Sequence, residues 1–430
     1  MTYDVIGIGI GPFNLGLAAL LEERTELSAA FFDENTSFEW HPGMLLEGTD
    51  LQVPFLADLV TMANPQSRYT FLNYIHENGR MLPFYFFNRF DIPRREYNAY
   101  CQWVANQVGS CHFGRRVTNA IYVEEEGRYK LTVHYPDSSE GEIFYAKHLV
   151  VGTGNTPLVP PGVEEVVNDD VIHSSTYAFH QEEIKQANAV TVVGSGQSAA
   201  EIFYTLLTDQ PEHGYKLSWF TRSPGFFQLE ESKLGQEVFS PEYVDYFHKL
   251  PYDTRQDALP LLGSLRNGVQ QKTLHKIYDR LYHQTVHQTK AAVRIQALVE
   301  VNGVKKAGEG TYELDCWQWQ EERAFVHKSE KVIFSTGYKP NVPKWLQAME
   351  SELVMESEKE FAVNRNAALV FKKKRAGQVY SLTNLDHSHG TSATNLALSV
   401  QRNMRIVNEL AGENVYETKK SGVFQQFSAE

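Results

Sequence analysis

Two glycine-bearing turns, one opening at Gly9 and the other at Gly194, constrain this chain more than any other feature. The first lies in Asp4-Val5-Ile6-Gly7-Ile8-Gly9-Ile10-Gly11-Pro12-Phe13-Asn14-Leu15, an apolar run that breaks into glycines and resumes as the apolar face of a helix. The second, Val190-Thr191-Val192-Val193-Gly194-Ser195-Gly196-Gln197-Ser198-Ala199-Ala200-Glu201, repeats that strand, turn and helix. In each, one glycine permits a tight turn, the next lets backbone approach a pyrophosphate, and the helix N-terminus offers amides to it. The chain is therefore expected to be α/β, with two Rossmann-like dinucleotide-binding domains. Two nucleotides held close together imply that one reduces the other.

In the first unit Gly9, Gly11, Pro12 and Asn14 are the turn's candidate cofactor contacts, Asn14 standing where a third glycine would be usual. Asp33 closes the next strand, Ala29-Ala30-Phe31-Phe32, 24 residues after Gly9, where an acid accepts the ribose hydroxyls of an adenosine. In the second unit the candidates are Gly194, Ser195, Gly196, Gln197 and Ser198. Its following strand, Leu217-Ser218-Trp219-Phe220, ends in Thr221-Arg222-Ser223 without an acid. Arg222 suits a 2′-phosphate and favours NADPH over NADH, the alternative being a solvated surface arginine. Two more apolar runs, Leu149-Val150-Val151-Gly152-Thr153-Gly154 and Val332-Ile333-Phe334-Ser335-Thr336-Gly337, end at small residues that let backbone crowd a cofactor; buried strands closed by ordinary turns would read the same. Residues 1–157 and 331–430 are expected to form a discontinuous FAD domain, and 158–330 an inserted NADPH domain. Within the insert, 226–282 departs from βαβ rhythm and reads as a small, largely helical substrate cap.

Composition narrows the function. A net charge of −13 with scattered Lys and Arg disfavours nucleic acid. The apolar N-terminus lacks a basic leader and is broken by Asp4 and glycines, so it reads as a first strand rather than a signal peptide or membrane span. Cys101, Cys111 and Cys316 form no Cys-x-x-Cys pair, which removes the disulfide reductases and points to a reduced, cytoplasmic setting. No metal is expected: Asp386, His387 and His389 lie close in sequence, but a surface turn or flavin-edge loop accounts for them. The polar stretch from about Gly412 is expected to pack loosely.

Along nearly its whole length the chain resembles the flavin-dependent N-hydroxylating monooxygenases of siderophore biosynthesis. The residues that carry the likeness are Gly9-Ile10-Gly11-Pro12-Phe13-Asn14-Leu15, Phe38-Glu39-Trp40-His41-Pro42-Gly43-Met44, Leu51-Gln52-Val53-Pro54-Phe55-Leu56-Ala57-Asp58-Leu59, His173-Ser174-Ser175-Thr176-Tyr177, Ser335-Thr336-Gly337-Tyr338 and His389-Gly390. The resemblance implies that NADPH reduces FAD, that the reduced flavin captures O₂ as a hydroperoxide, and that a neutral primary amine attacks it. It also implies that Trp40, His41, Met44 and Gln52 surround the isoalloxazine, with Thr336 and Gly337 among the FAD contacts, and that the protein is a homotetramer or dimer. The protein's part is to orient, exclude water and tune electrostatics.

One departure points to the substrate. By the same resemblance, members acting on ornithine or lysine carry Phe-Leu-Lys-Asp-Leu where this chain has Phe55-Leu56-Ala57-Asp58-Leu59, and that lysine pairs with the α-carboxylate. With Ala57 a buried carboxylate has no cation, so an aliphatic diamine is expected, cadaverine ahead of putrescine. Ser240 in Ser240-Pro241-Glu242 and Ala397 depart at further substrate positions, and Asn267 is another expected contact. Glu230, Glu231, Glu237 and Asp386 are candidate acceptors for the distal ammonium. Lysine or ornithine with Arg266 or Lys272 as substitute cation is the rival substrate reading; an NADPH-dependent reductase or electron carrier is the rival of another class, and a flavin-binding sensor a more remote one.

Overall fold

The computed structural model describes residues 2–136, 138, 140–286, 293–418 and 422–429. The first glycine turn joins the strand Thr2–Ile8 to the helix Pro12–Arg24. That strand is central to a sheet in which it runs parallel to Ala29–Phe32 on one side and to Glu142–Val151 on the other. The long strand Glu142–Val151 forks. Its N-terminal half pairs antiparallel with Arg128–His134, and its C-terminal end pairs parallel with Val379–Ser381, which arrives from far along the chain. The sheet is sandwiched between two apolar layers, one including Leu15, Leu17 and Tyr100, the other Phe32, Tyr129 and Leu353.

A second, all-parallel sheet is ordered Val171–His173, Lys331–Phe334, Ala189–Val193, Lys216–Phe220, Val293–Gln296. Where both faces are covered, as at Ala189–Val193 and Lys331–Phe334, the strands are largely apolar and buried. The placement of Lys331–Phe334 corrects the expected boundary at 331: this strand lies inside the second sheet, and the chain returns to the first unit later. The outgoing segment Asn155–Pro157 and the returning Tyr338–Pro340 pair antiparallel, so the two crossings form one ribbon. A three-stranded antiparallel layer, Val299–Gly308, Thr311–Gln318 and Arg323–Ser329, covers one side of the second sheet through Val301, Leu314 and Phe220. The glycine-turn pattern gives no hint of it.

The cap is narrower than 226–282. Helix Gln271–Gln284 packs Leu274 and Ile277 into the core of the second sheet and so belongs there. The helices Pro241–Lys249 and Tyr252–Leu261 instead rest on the first unit's C-terminal part: Arg255 donates to the His387 carbonyl at 2.7 Å and pairs with Glu356 at 2.8 Å, and the His248 ring meets the Val363 carbonyl at 2.9 Å. The described tail does not fray. Glu237 accepts the backbone N–H groups of Phe424 and Gln425 at 3.0 and 2.8 Å, and Phe427 packs edge-on against Tyr243 at 5.0 Å.

The two units are tied directly by Arg94, at the start of helix Arg94–Ala105, and Glu201 in helix Gln197–His213. Both guanidinium ends meet both carboxylate oxygens, at 2.7 and 2.9 Å, with side-chain exposures of 12% and 5%. Removing one partner of so buried a pair strands the other charge. Glu201→Ala is expected to lower unfolding stability by about 3 kcal/mol in denaturant titrations. A loss under about 1 kcal/mol, the range of exposed pairs, would show that the bridge is not a structural tie.

Candidate flavin and nicotinamide sites

A cavity of ≈ 930 Å³ opens at the C-terminal ends of the first sheet's strands, lined by the first glycine turn, Asp33, Trp40, His41, the Gly152–Gly154 turn and the segments 382–385 and 393–396. Gly9 has φ +84, and a Cβ there would meet the Gly152 carbonyl oxygen at 2.5 Å, so glycine is demanded by the fold. Gly11 differs: a Cβ there has nothing within 4 Å and its backbone is extended, so it is an open cradle position where only a ligand needs the missing side chain. Gly154 also faces open space, but its φ of +65 makes glycine a backbone requirement as well. Asp33 accepts the Ile10 N–H at 2.6 Å and the Asn35 N–H at 2.8 Å, which fixes its carboxylate at the turn's mouth. Arg115, Arg116 and Asn341 also line the cavity and were not singled out by pattern. Asn341 lies in the return segment and receives its place from the Gly152–Gly154 turn, with its N–H to Gly154 O at 3.0 Å and Nδ2 to Thr153 O at 3.2 Å.

Asn14 stands outside this lining. It is fully buried behind the turn and donates to the Gly9 carbonyl at 2.7 Å and the Ile8 carbonyl at 3.3 Å, so the side chain in the third fingerprint position braces the turn. Of the four residues expected around the isoalloxazine, Trp40 and His41 line the cavity. Trp40 packs edge-on against Tyr97 at 5.1 Å and His41 at 4.9 Å. His41 adopts a left-handed conformation, φ 51, and lines the cavity with its ring edge-on to Tyr338 at 5.8 Å. Although accessible from that space, the ring is hemmed in by protein, and this desolvation together with the Arg94 guanidinium pushes its pKa down to about 4. Met44 is a correction: it is 3% exposed and belongs to the core of the second sheet with Ile172 and Tyr177. Gln52 lies exposed on strand Asp50–Pro54, also outside the lining.

The second turn is built alike. Gly194 has φ +137 and crowds the Ser335 carbonyl, while a Cβ at Gly196 would enter open space. Trp219 Nε1 donates to the Gly194 carbonyl at 2.7 Å, locking the turn. Ser195 Oγ lies 3.1 Å from Ser223 Oγ, and beside them Arg222 is 78% exposed, with a loose 3.7 Å contact to Glu300 as its ion pair among the described residues. Ser198 is half-buried in the first helical turn. Gln197 is committed elsewhere: it donates to Glu201 at 2.8 Å and accepts the Gln270 N–H at 2.8 Å. Thr336 and Gly337 lie at the ribbon rather than in the large cavity. Thr336 Oγ1 donates to Leu158 O at 2.6 Å. Ser175 N–H donates to His173 Nδ1 at 3.1 Å, leaving Nε2–H to donate to Gly337 O at 3.1 Å, so the motif at His173 pins the crossing.

Around the expected substrate positions, Ala57 is buried beside Asp58, whose carboxylate accepts four hydrogen bonds from Val60, Thr61 and Phe71. Ser240 is a correction: its Oγ caps helix Pro241–Lys249 by accepting the Tyr243 N–H at 3.2 Å. Asn267 is exposed in the cap. Lys272 is paired with Asp50 at 2.7 Å and with Asp91, and Arg266 with Asp386 at 2.6 Å. His387 Nε2 and His389 Nε2 face the carbonyls of Phe361 and Arg365. Among the described residues no group of three or more His, Cys, Asp or Glu is arranged to hold a metal.

Residues 1–340 match the L-lysine 6-monooxygenase/L-ornithine 5-monooxygenase family. The chain belongs to that family. It is 37% identical to a putrescine N-hydroxylase of Shewanella oneidensis, covering 99% of this chain and 84% of that protein. Its fold superposes on the FAD-bound cadaverine monooxygenase of the desferrioxamine pathway of Erwinia amylovora with a TM-score of 0.94, at 36% identity over 100% and 99% of the two chains. An ornithine N-hydroxylase of Kutzneria, solved with reduced FAD, NADP⁺ and L-ornithine, gives 0.88 at 27% identity over 95% and 99%. The chain is a flavin-dependent N-hydroxylating monooxygenase, with FAD and NADPH as its cofactors.

The two kinds of glycine separate fold from ligand. Gly11→Val is expected to leave the unfolding midpoint of the FAD-free protein nearly unchanged while weakening FAD binding at least about tenfold, the size of a ~1.4 kcal/mol effect, by fluorescence titration. Gly9→Val is expected to lower stability itself. For pH, the depressed His41 pKa means that folding favours the neutral ring; this stability is fully present above about 6.5 and is lost as pH falls through about 4. A thermal-melt series from pH 7 to 4 is expected to fall less steeply for His41→Gln than for the parent.

Proposed function

We propose that this enzyme hydroxylates one primary amine of an aliphatic diamine, cadaverine ahead of putrescine, for a hydroxamate siderophore. The observation that carries this reading is that, among the described residues, none of the positions expected to offer a cation to a carboxylate holds a free one. Ala57 supplies none, and both substitutes are spoken for: Lys272 lies against Asp50 and Asp91, and Arg266 against Asp386. A carboxylate entering here must compete with a standing ion pair or remain unpaired, whereas an ammonium needs no such cation. The relatives named for putrescine and cadaverine support the same reading.

Bound FAD supplies the oxygenating chemistry and NADPH the reducing equivalents. In this proposal Gly9, Gly11, Pro12 and Asp33 seat the FAD turn and adenosine, with Trp40 and His41 as a wall. Gly194, Ser195, Gly196 and Arg222 receive the NADPH pyrophosphate and 2′-phosphate. His41, with its pKa near 4, stays neutral through the physiological range and puts no positive charge beside the amine. The cap helices exclude water, which favours the neutral, nucleophilic amine over its ammonium form.

The protein is further proposed to be a cytoplasmic homo-oligomer. Supporting this, helix Met81–Phe87 buries none of its residues and leaves Leu82, Tyr85 and Phe86 69%, 72% and 76% exposed, an apolar face suited to a second copy. Cys101, Cys111 and Cys316 are all unpaired. Among the described residues no helix is long and apolar enough to cross a membrane.

The test is NADPH-dependent hydroxylamine formation with cadaverine, putrescine, lysine and ornithine, with peroxide followed in parallel. The expected kcat/KM preference for diamines over amino acids is at least about 100-fold, corresponding to ~3 kcal/mol for an unpaired charge. Efficient turnover of lysine or ornithine would reject the diamine reading and keep the chemistry.

A further inference from the structure

Resting on the diamine reading, we infer that Asp386 is the specificity-determining acid that receives the distal ammonium of the substrate. Four acids are candidates by sequence, and the fold commits two of them. Glu237 grips the tail through the N–H groups of Phe424 and Gln425, and Glu230 is turned onto the Ser232 N–H at 2.7 Å. Asp386 is differently placed. It directly follows Leu385, which lines the large cavity, and it starts the short helix Asp386–His389 against which the cap helices pack. Its Oδ2 alone takes Arg266, at 2.6 Å, and no hydrogen bond to its Oδ1 is made among the described residues. The Asp386 and Arg266 side chains are 42% and 32% exposed, so the carboxylate can be reached by a ligand.

That half-used carboxylate treats the two substrate classes oppositely. An ammonium adds to Oδ1 without displacing Arg266, because one carboxylate accepts several donors. A carboxylate must draw Arg266 away and leave Asp386 unpaired beside it. Arg266 is adjacent to Asn267, so the acid is paired next to a residue that the family resemblance implies as a substrate contact. Asp386 and Arg266 together thus select a second positive charge, where relatives with the lysine select a negative one.

The experiment compares kcat/KM for cadaverine with that for pentylamine, which has the same reacting end and no distal ammonium, in the FAD-loaded parent and in Asp386→Asn, Asp386→Glu and Glu231→Gln variants. The expected result is that Asp386→Asn shrinks the diamine-over-monoamine ratio at least tenfold, chiefly through the KM for cadaverine, that Asp386→Glu restores part of it, and that Glu231→Gln leaves it in place. A ratio unchanged in Asp386→Asn, or collapsed in Glu231→Gln, overturns the assignment. Should Asp386→Asn fail to fold, Arg266→Gln decides: the cadaverine KM is expected to fall several-fold with the pentylamine KM constant, and no differential effect overturns the proposal. A parent enzyme that turns over lysine or ornithine but no diamine overturns the substrate reading and this inference together, and is recognised before any variant is made.

Discussion

One buried ion pair ties the two nucleotide-binding units directly. Arg94 comes from the first unit and Glu201 from the helix that begins at the second glycine turn, so their bidentate contact joins the flavin wall to the nicotinamide turn. Burial raises the pKa of Glu201, and the guanidinium opposes that shift. Gln197, the first residue of the same helix, donates to the same carboxylate and is bonded in turn to Gln270 and Thr273. Arg94 also helps hold His41 neutral. A single charge thereby meets both the helix of the second turn and the wall of the flavin cavity.

The cap closes the opposite end. It is inserted in the second unit's sequence yet bonded to the first unit, through Arg255 to the His387 carbonyl, His248 to the Val363 carbonyl and Arg365 to Asp245. The tail packs over it by way of Glu237 and Phe427. With the ribbon at Asn155–Pro157 and Tyr338–Pro340 joining the units, the arrangement of the two units and the cap is tied by contacts that link segments distant in sequence. Such enclosure is what an amine hydroxylation needs, since water would protonate the amine and waste reducing equivalents.

The glycine turns were legible because geometry demands them: Gly9 and Gly194 sit at positive φ against backbone carbonyls, and Gly11 and Gly196 face open space. The return to the first unit was misplaced because an apolar run ending in Ser335-Thr336-Gly337 reads the same in either sheet. Resemblance located the segments around Met44 and Ser240 but carried no side-chain direction; one proved to be core and the other a helix cap. Asn14 was assigned to the ligand because fingerprint position does not say which side of the turn the side chain occupies. The Arg94–Glu201 bridge spans 107 residues and leaves no local pattern. The roles of Lys272 and Arg266 depend equally on partners that only the fold brings near.

The central claim is that this bridge aligns the two cofactors. Its most direct test is anaerobic stopped-flow reduction of bound flavin by NADPH in Glu201→Gln, with FAD content matched to the parent. The account predicts reduction at least about tenfold slower, equivalent to ~1.4 kcal/mol in the barrier, with FAD retained. An unchanged reduction rate would mean that the nucleotide geometry is set elsewhere, and would contradict the account.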